Sequence, residues 1–482
     1  QSTSVEPAHA GGSSTFTLSF ERPEGQQYIG KISDLLPAGL VGNIPTVPLC
    51  EEPQAGLGTC TSASQIGTVA VAAGSGSEPY MFSGKAYLTG PYEGAPYGLS
   101  IVVPSVAGPF NLGNVIARVK IEVNPYTGQV IATDNNVPTI VGGIPIRLRA
   151  LTVTINRQGF ERNPTYCGGL ETSSLLTSTL GATKEVSSPF QAEGCSSLAF
   201  TPSFAAKTNG KFSKLNGAFL ETTVNQPAGQ ANIKSVLVTL PSQLPSRLST
   251  LQKACLRATF EANPKNCNVE SRVGTARANT PVLPGKLQGT AYLVAVGGSS
   301  FPDLDLVLEA NGVRVILVGH TKIKNGITTD EFPSSPDVPV TSITVVLPTG
   351  PYSALANYGD LCTAKLAMPT TITAQNGKKF TQNTNIGLRE CGVRVLAERV
   401  VANTAYVIVK SFEAGRITAY GRNLSTVGQS VGGGIKQTTI KVPLSGSGYG
   451  ASRPFSTRVY VGFRPNNRKN PSSKASIAVT FR

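Results

Sequence analysis

The fold is decided by a segment near the start of the chain that recurs in altered form further on. Residues 16–37 read FTLSFERPEGQQYIGKISDLLP, and residues 219–241 read FLETTVNQPAGQANIKSVLVTLP. Four identities share an offset of 204 residues: Pro23, Gly25, Gln26 and Pro37 fall on Pro227, Gly229, Gln230 and Pro241. Similarity at a fixed offset indicates an internal repeat, so we expect two copies of one module.

The match between the copies continues downstream while the offset drifts. GKAYL at 84–88 corresponds to GTAYL at 289–293, and the Thr-Asp pair at 133–134 corresponds to the pair at 329–330. Apolar and polar residues alternate along segments such as 99–103, which is the period of a half-buried strand. The repeated module is therefore expected to be built from strands.

The eight cysteines repeat the same duplication. They form four neighbouring pairs with spacings of 10, 28, 12 and 29 residues: Cys50 and Cys60, Cys167 and Cys195, Cys255 and Cys267, Cys362 and Cys391. Eight cysteines allow about 105 connectivities, and sequential pairing is the simplest because each module then closes its own two loops. Since no Cys-x-x-Cys pair suggests zinc, we predict disulfides and no metal. Disulfides imply an oxidising, extracytoplasmic setting.

The composition favours an all-β, exported protein. The 482 residues include 51 glycines and 34 prolines, and no run approaches the roughly 18 apolar residues of a membrane helix. We predict tandem disulfide-containing β-sandwich modules, two copies of a repeat of about 200 residues, followed by an immunoglobulin-like β-sandwich. The chain begins with Gln1, which suggests that a leader has been removed and that the protein is secreted without membrane insertion.

Four parts are expected along the chain. Residues 1–15, rich in Ser, Gly and Ala, are predicted to be a flexible arm. The first module spans 16–215 and is open to a division into two smaller sandwiches, and the second module spans 216–391. Residues 392–482 contain no cysteine and form the C-terminal immunoglobulin-like domain.

Several short motifs carry a resemblance to a known group of proteins. They are LPAGL at 36–40, YLTGPY at 87–92, GLSIVVP at 98–104, SPF at 188–190 and AGRITA at 414–419. With these motifs the chain resembles secreted actinobacterial tandem-repeat β-sandwich surface proteins of uncharacterised function, with an appended C-terminal immunoglobulin-like domain. The resemblance implies a cell-surface location and brings no catalytic residues.

Catalytic constellations are scarce in this sequence. Its two histidines are His9 and His320, and the G-x-S-x-G match at 428–432 has no histidine after Ser430, so it is interpreted as a loop. Asp303, Asp305 and Glu309 share one face of an alternating segment, where they suit either calcium or an acid/base pair. A solvated strand face is the favoured interpretation. We therefore predict a protein that is not an enzyme and has no cofactor.

Three tyrosines suggest a ligand loop in the first module. Tyr87, Tyr92 and Tyr97 lie five residues apart in a stretch rich in Pro and Gly. Exposed tyrosines stack on sugar rings or anchor protein partners. Packing within a turn is the alternative, and it is favoured because the chain has no Trp for a dedicated carbohydrate platform.

Positive charge is concentrated in the C-terminal domain. Residues 392–482 contain 14 of the 42 Lys and Arg but only Glu398 and Glu413, so this domain holds +12 of the formal net charge of +15. The predicted contacts with a polyanion or a second subunit are Arg453, Arg458, Arg464, Arg468, Lys469 and Lys474. A second copy of the chain is the first expected partner, an anionic cell-wall polymer or acidic polysaccharide is the second, and specific nucleic-acid recognition is not expected. A basic surface that only aids solubility is the alternative.

Two functional hypotheses follow from these features. The first is an extracellular structural subunit that assembles with itself into a filament or surface layer, because an N-terminal arm can complete the sheet edge of a neighbouring molecule. The residues assigned to this arm are Thr15, Phe16, Leu18 and Phe20. The second is a monomeric adhesin whose basic domain binds an anionic wall polymer.

Overall fold

A computed structural model describes residues 1–210, 215–298, 300–359, 361–362, 364–389, 391–433, 436–467 and 472–482. In these ranges the chain is all-β and forms two related modules followed by a smaller sandwich. No helix in this part of the chain is long and apolar enough to cross a membrane.

The first module is built around an 11-stranded antiparallel sheet. Its strands are β1 (Ser2–Glu6), β2 (Thr15–Glu21), β3 (Ile29–Leu35), β4 (Val41–Gly42), β5 (Gln65–Ala73), β6 (Tyr80–Thr89), β7 (Tyr97–Ala107), β8 (Phe110–Val123), β9 (Val130–Asp134), β10 (Ile140–Val141), β11 (Ile144–Pro145), β12 (Leu148–Ile155), β13 (Glu161–Arg162), β14 (Leu170–Ser178) and β15 (Thr183–Phe190). The sheet order is β1-β2-β12-β5-β6-β7-β8-β9-β3-β14-β15. Its two edge strands lie side by side, because Thr3 Oγ1 on β1 hydrogen-bonds to Ser188 Oγ on β15.

The second module repeats this plan with one interruption. Its strands are β16 (Ser203–Asn209), β17 (Leu220–Asn225), β18 (Ile233–Thr239), β19 (Cys255–Leu256), β20 (Arg272–Asn279), β21 (Lys286–Ala295), β22 (Asp303–Ala310), β23 (Val313–Leu317), β24 (His320–Lys324), β25 (Ile327–Phe332), β26 (Ser342–Leu347), β27 (Ala367–Ala374), β28 (Lys379–Asn385) and β29 (Gly387–Arg389). One sheet runs β23-β22-β21-β20-β26-β17-β16-β29 and the other β24-β25-β18-β27-β28. The order from β16 to β28 matches the first module, with β23 and β24 in place of the continuous β8, whereas β19 and β29 are additional.

The structure pairs the cysteines sequentially within the modules. The bridges are Cys50–Cys60, Cys167–Cys195, Cys255–Cys267 and Cys362–Cys391. Two short helices lie inside corresponding disulfide loops: α1 (Gln54–Leu57) in the Cys50–Cys60 loop and α3 (Arg257–Ala262) in the Cys255–Cys267 loop. A further helix, α2 (Leu248–Leu251), precedes Cys255. Single 3-10 turns cover Ile44–Thr46, Ser62–Ser64, Cys195–Ser197, Pro264–Asn266 and Val269–Ser271.

The C-terminal domain is a seven-stranded sandwich of the immunoglobulin type. Its strands are β30 (Val393–Val401), β31 (Thr404–Ser411), β32 (Gly415–Gly421), β33 (Leu424–Val431), β34 (Lys436–Pro443), β35 (Phe455–Pro465) and β36 (Ser473–Phe481), with a helix α4 (Gly446–Tyr449). The sheet β30-β31-β34 packs on the sheet β33-β32-β35-β36. Fully buried Val407, Ile417 and Val461 form part of the core between them.

The prediction of a flexible N-terminal arm is wrong. Residues 2–6 form β1, which pairs with β2 of the same chain. Phe16, Leu18 and Phe20 are buried on β2, which is hydrogen-bonded on its other side to β12. Both edges of β2 are therefore occupied within the molecule, and the predicted assembly arm of Thr15, Phe16, Leu18 and Phe20 is a central strand of the first module.

The predicted boundary between the modules also shifts. Residues 203–209 form β16, which pairs antiparallel with β17 and so belongs to the second module rather than to 16–215. In the repeat plan β16 corresponds to β1, since each strand covers the edge of the next one along the chain. Residues 2–6, expected to lie in a flexible arm, and residues 203–209, expected to lie in the first module, are the first strands of the two modules.

A buried carboxylate joins the two modules. Asp337, which follows β25, accepts hydrogen bonds from Thr165 N at 2.8 Å, Thr165 Oγ1 at 2.7 Å, Tyr166 N at 2.9 Å and Asn232 Nδ2 at 2.8 Å. We call this group the Asp337 clamp. Burial raises the pKa of Asp337, and the four donors oppose that rise. Because every donor is matched by a carboxylate oxygen, the clamp fixes the end of the first module against the second.

Candidate polyanion interface

The outer face of the sheet β33-β32-β35-β36 combines cations, tyrosines and glycines, and we call it the tyrosine face. Strand alternation puts Ile417, Val459 and Val461 into the core, and their neighbours therefore point outward. The outward residues are Arg416, Thr418, Tyr420, Arg458, Tyr460, Gly462, Arg464, Lys474 and Ser476. None of the four strands contains Asp or Glu.

Two arginines meet at one end of the tyrosine face. Arg416 on β32 lies directly opposite Arg464 on β35, and both side chains are exposed. Like charges at directly opposed positions destabilise a sheet. Within the described residues neither guanidinium forms an ion pair with a carboxylate. The Arg416 guanidinium extends over Gly428 of β33, away from β35, so an anion at either guanidinium would reduce this repulsion through charge-assisted hydrogen bonds.

Two tyrosines form the opposite border of a shallow strip across the sheet. Tyr420 lies opposite Tyr460, and their rings stack with centroids 5.6 Å apart and planes inclined by 24°. Between this pair and the arginines, Thr418 lies opposite Gly462, which has no side chain. The strip is therefore floored by backbone and bordered on one side by aromatic rings and on the other by guanidinium groups.

The opposite sheet of the domain has aromatic rings that are already covered by its own cations. The Arg399 guanidinium lies 5.3 Å from the Tyr406 ring centre, and Lys441 Nζ lies 5.9 Å from it. Exposed Glu398 lies on β30 of that sheet. The tyrosine face is the more open of the two faces, because its rings stack on each other and its strands contain no acidic residue.

The predicted cationic contacts divide into three groups. Arg458, Arg464 and Lys474 lie on the tyrosine face. Arg453 lies apart and donates hydrogen bonds to Arg482 O and Asn403 Oδ1. Arg468 and Lys469 lie outside the described residues. Sequence reasoning missed Arg416, Tyr420 and Tyr460, although their alternation with buried residues is visible in RITAY and RVYVGFR.

The structure agrees with packing, the favoured interpretation of the three tyrosines, and contradicts the alternative of an exposed ligand loop for Tyr87 and Tyr97. Tyr87 on β6 and Tyr97 on β7 are buried, with only 8% and 5% of their surface exposed. Tyr92 is half-buried in the turn between these strands, where the Arg118 guanidinium lies 4.3 Å from its ring centre. The tyrosines pack within the module, so they do not form a ligand loop.

The carboxylates predicted to form a solvated face are instead buried around an arginine. Arg257 on α3 donates to Asp303 Oδ2 and to Asp305 Oδ2, each at 2.8 Å, and His320 Nδ1 lies 3.1 Å from Asp303 Oδ1. Burial raises the pKa of Asp305 to about 6, and Arg257 opposes that shift. Glu309 forms a separate ion pair with Arg314 at 2.6 Å. The solvated interpretation is wrong for Asp303 and Asp305, which link the α3 loop to β22.

The remaining sequence motifs give no catalytic arrangement. Residues 428–431 of the G-x-S-x-G match lie in β33, an extended strand, rather than on a strand-to-helix turn. Among the residues that the structure describes, no three of His, Cys, Asp and Glu are grouped so as to hold a metal ion.

Comparison with solved structures returns bacterial surface proteins at low overall similarity. The chain is similar to the MSCRAMM ACE of Enterococcus faecalis at 10% identity and a TM-score of 0.19, covering 80% of this chain and 95% of that one. It is also similar to BcpA, the major pilin subunit of Bacillus cereus, at 9% identity and a TM-score of 0.20, covering 72% and 87%. A Ca²⁺-stabilised adhesin of an Antarctic bacterium that binds ice gives 11% identity and a TM-score of 0.16, covering 98% and 94%.

These scores are too low to indicate a common arrangement, so no residue role or ligand is transferred from these proteins. No family model and no curated protein matches the chain. The assignment of a function therefore depends on the chain's own residues.

Proposed function

We propose that this protein is an extracellular, non-enzymatic β-sandwich protein whose C-terminal domain binds an anionic cell-wall polymer or acidic polysaccharide. The observation that carries the proposal is the tyrosine face, where Arg416 and Arg464 oppose each other beside the stacked Tyr420–Tyr460 pair. Guanidinium groups bind carboxylates and phosphates, and aromatic rings stack on sugars. An acidic glycan presents an anionic group and a sugar ring in every repeat unit.

Export is supported by the cysteine chemistry. Four disulfides close loops within the two modules, and the described part of the chain has no free cysteine. Such bonds persist in oxidising compartments outside the cytoplasm. An anionic polymer of the cell envelope is available to the protein in that setting.

Self-assembly remains a prediction, because the described residues contain no free N-terminal arm that could join two molecules. The N-terminal segment expected to join two molecules contains β1, which pairs with β2 of its own module. Strand donation would therefore first require β1 to detach. The tyrosine face needs no such rearrangement, and binding through it is the function that the geometry supports best.

The test is binding of the full chain to polygalacturonate at several salt concentrations, with dextran as the uncharged control. We expect Arg464→Ala and Tyr460→Ala each to weaken binding about tenfold, because they remove a charge-assisted contact and a stacking surface. Lys441→Ala removes one charge from the opposite sheet and is the matched control, with an expected loss of less than about twofold.

Three outcomes would contradict the proposal. If Lys441→Ala weakens binding as much as Arg464→Ala, net charge alone attracts the polymer. Affinity that does not fall as salt rises would exclude a charge-led contact. Equal affinity for a DNA duplex would show that the face does not distinguish sugar polymers from other polyanions.

A further inference from the structure

An apolar cavity of about 270 Å³ lies inside the first module and extends to the second. Its lining includes Leu99, Val119 and Val153 from the first module and Val315 and Ile343 from the second. Cavities of about 150 Å³ lined by such residues stay dry and bind small apolar molecules, and ligand pockets begin at about 300 Å³. We call this space the junction cavity.

The core of the first module is divided around this cavity. Its buried residues form separate clusters, one around Phe16 and Phe20, one around Val69 and Val119, and one around Ile66. An unfilled interior is destabilising because the lining loses its packing contacts. A hollow of this size between otherwise well-formed strands therefore indicates a space that a ligand fills.

Polar groups without partners face the junction cavity. Tyr97 Oη is a buried atom with no hydrogen-bond partner in the described chain, and Asp34 Oδ1 has none beyond the Ser174 hydroxyl directly opposite it on β14; Tyr97 and Asp34 both line the cavity. Tyr97 retains only 5% of its surface exposure. A buried polar atom without a partner costs free energy, so such atoms in a cavity point to a hydrogen-bonding group on a ligand.

Three carboxyl groups line the same space. Asp34 on β3 lies opposite Ala132 on β9, and Asp134 lies opposite Ile32, so both acids project to the cavity side of adjacent strands. Burial raises the pKa of Asp34 to about 7; the Ser174 hydroxyl opposes this rise, and repulsion from Asp134 adds to it. Burial raises the pKa of Asp134 to about 6. Glu161 also lines the cavity, and burial raises its pKa to about 7. A ligand head that donates hydrogen bonds suits these groups, and an anionic head does not.

The second module lacks this arrangement at corresponding positions. Val238, at the offset of 204 from Asp34, lies opposite Asp330, and Val236 lies opposite Phe332. The positions of Asp34 and Asp134 in the register are therefore taken by Val238 and Phe332. Because the repeat holds apolar residues there, the fold does not require the two acids, and their presence is specific to the first module.

Tyr97, Ile121, Ala132 and Asp34 lie in one row across the adjacent strands β7, β8, β9 and β3. We propose that the junction cavity binds a single-chain amphiphile, with its alkyl chain among the apolar residues of both modules and a hydrogen-bond-donating amine or hydroxyl head along this row, where Tyr97 and Asp34 supply the polar groups. This site is separate from the tyrosine face, which lies in the C-terminal domain. Its failure or success leaves the polyanion proposal unaffected.

The experiment measures binding of decylamine, decan-1-ol and decanoate to the full chain by isothermal titration calorimetry. We expect the amine and the alcohol to bind saturably at one site and decanoate to bind at least about tenfold more weakly, because its head is anionic. Ala132→Phe fills the cavity from β9 and should weaken amine binding about tenfold or more. Ile131→Phe puts a phenyl ring on the opposite face of β9 and should leave binding within about twofold.

Tyr97→Phe keeps the shape of the cavity and removes only the hydroxyl group. We expect it to fold with unchanged or higher stability, since an unpartnered buried hydroxyl is lost, and to bind decan-1-ol several-fold more weakly. The proposal is overturned if neither amine nor alcohol binds, or if Ala132→Phe and Tyr97→Phe both retain the affinity of the original chain. Equal binding of decanoate would overturn the assigned head group.

Discussion

The two modules share one strand order but differ in how their interiors are filled. In the second module, one large core runs from Phe200 to Ile386, and a smaller cluster around Phe260 and Tyr292 lies beside it. In the first module, the core is divided and encloses the junction cavity. Because the order of the strands is the same, the backbone plan does not decide whether the interior is filled. The side chains at matching positions decide whether the interior is filled.

The same difference is visible where the long β8 of the first module becomes β23 and β24 in the second. The break includes Gly319, where an added Cβ would lie 2.6 Å from Leu304 O and from the Phe332 ring. Next to it, Asp305 accepts from Gly319 N at 3.4 Å and from Arg257. The first module has Ser100 at the position of Asp305, and Ser100 donates to Ala55 O of α1 at 2.7 Å. A neutral hydrogen bond in one copy corresponds to a buried ion pair in the other.

Removing the arginine from the second module is expected to have the largest effect. Arg257→Ala leaves Asp303 and Asp305 buried without their cation, which costs about 3–5 kcal/mol. Denaturant unfolding followed by intrinsic fluorescence measures the loss. Lys322→Ala, which removes an exposed ion pair with Glu331, is the control and should cost less than about 1 kcal/mol. If the two variants lose equal free energy of unfolding, the buried contact of Arg257 with Asp303 and Asp305 does not stabilise the α3 loop.

The acid-lined cavity makes the stability of the first module depend on pH. Burial raises the pKa of Glu161 from 4.5 to about 7, so the folded state holds this proton more tightly than the unfolded state does. Stability therefore falls as pH rises from about 4.5 to about 7 and then levels off. Glu161→Gln should unfold like the original chain near pH 4 and be more stable by about 3 kcal/mol at pH 8. A difference that is the same at both pH values would contradict this account.

The smallest expected loss of stability comes from Ser100→Ala, the first-module counterpart of a change at Asp305. This substitution removes the hydrogen bond to Ala55 O and should cost about 1 kcal/mol, the value of one neutral hydrogen bond. The measurement is the same denaturant unfolding, set beside Arg257→Ala. A loss as large as that of Arg257→Ala would show that the two modules hold their helical loops with equal strength.

The sequence predicts the repeat and the all-β class well, because both depend on local spacing. Turn residues recur at short intervals, and the cysteine spacings repeat in order, so each signal lies within one segment of the chain. The burial of Asp303 and Asp305 depends on Arg257, which is 46 and 48 residues away in sequence. No spacing rule connects those positions, and a solvated strand face was the simpler interpretation.

The match between 133–134 and 329–330 shows how sequence similarity misleads at the level of single positions. The strand register puts Asp134 opposite Ile32 and Asp330 opposite Val238, the counterpart of Asp34. The two Asp residues are therefore two positions apart in the repeat plan. Downstream of β7 and β22 the offset between the two copies changes. Two identical dipeptides can therefore be aligned in sequence although they occupy different positions in the strand register.

The tyrosine face was predictable only in part. The concentration of charge in 392–482 points to the domain that contains this face, and three of the six named cations lie on it. Arg416 and Tyr420 come from β32, whereas Arg464 and Tyr460 come from β35, so their juxtaposition depends on strand pairing. Pairing between distant strands is the information that composition does not contain.

The Asp337 clamp has a mechanical consequence. It connects Thr165 and Tyr166 directly to Asn232 and Asp337, so the chain between residues 166 and 232 forms a closed side loop. When the protein is stretched from its ends, tension crosses from one module to the other through the clamp as well as through the backbone bonds Ile44 N to Val282 O and Ile316 N to Pro125 O. Strands β14, β15, β16 and β17 lie within that side loop, so the covalent chain through them is not pulled straight while the clamp holds.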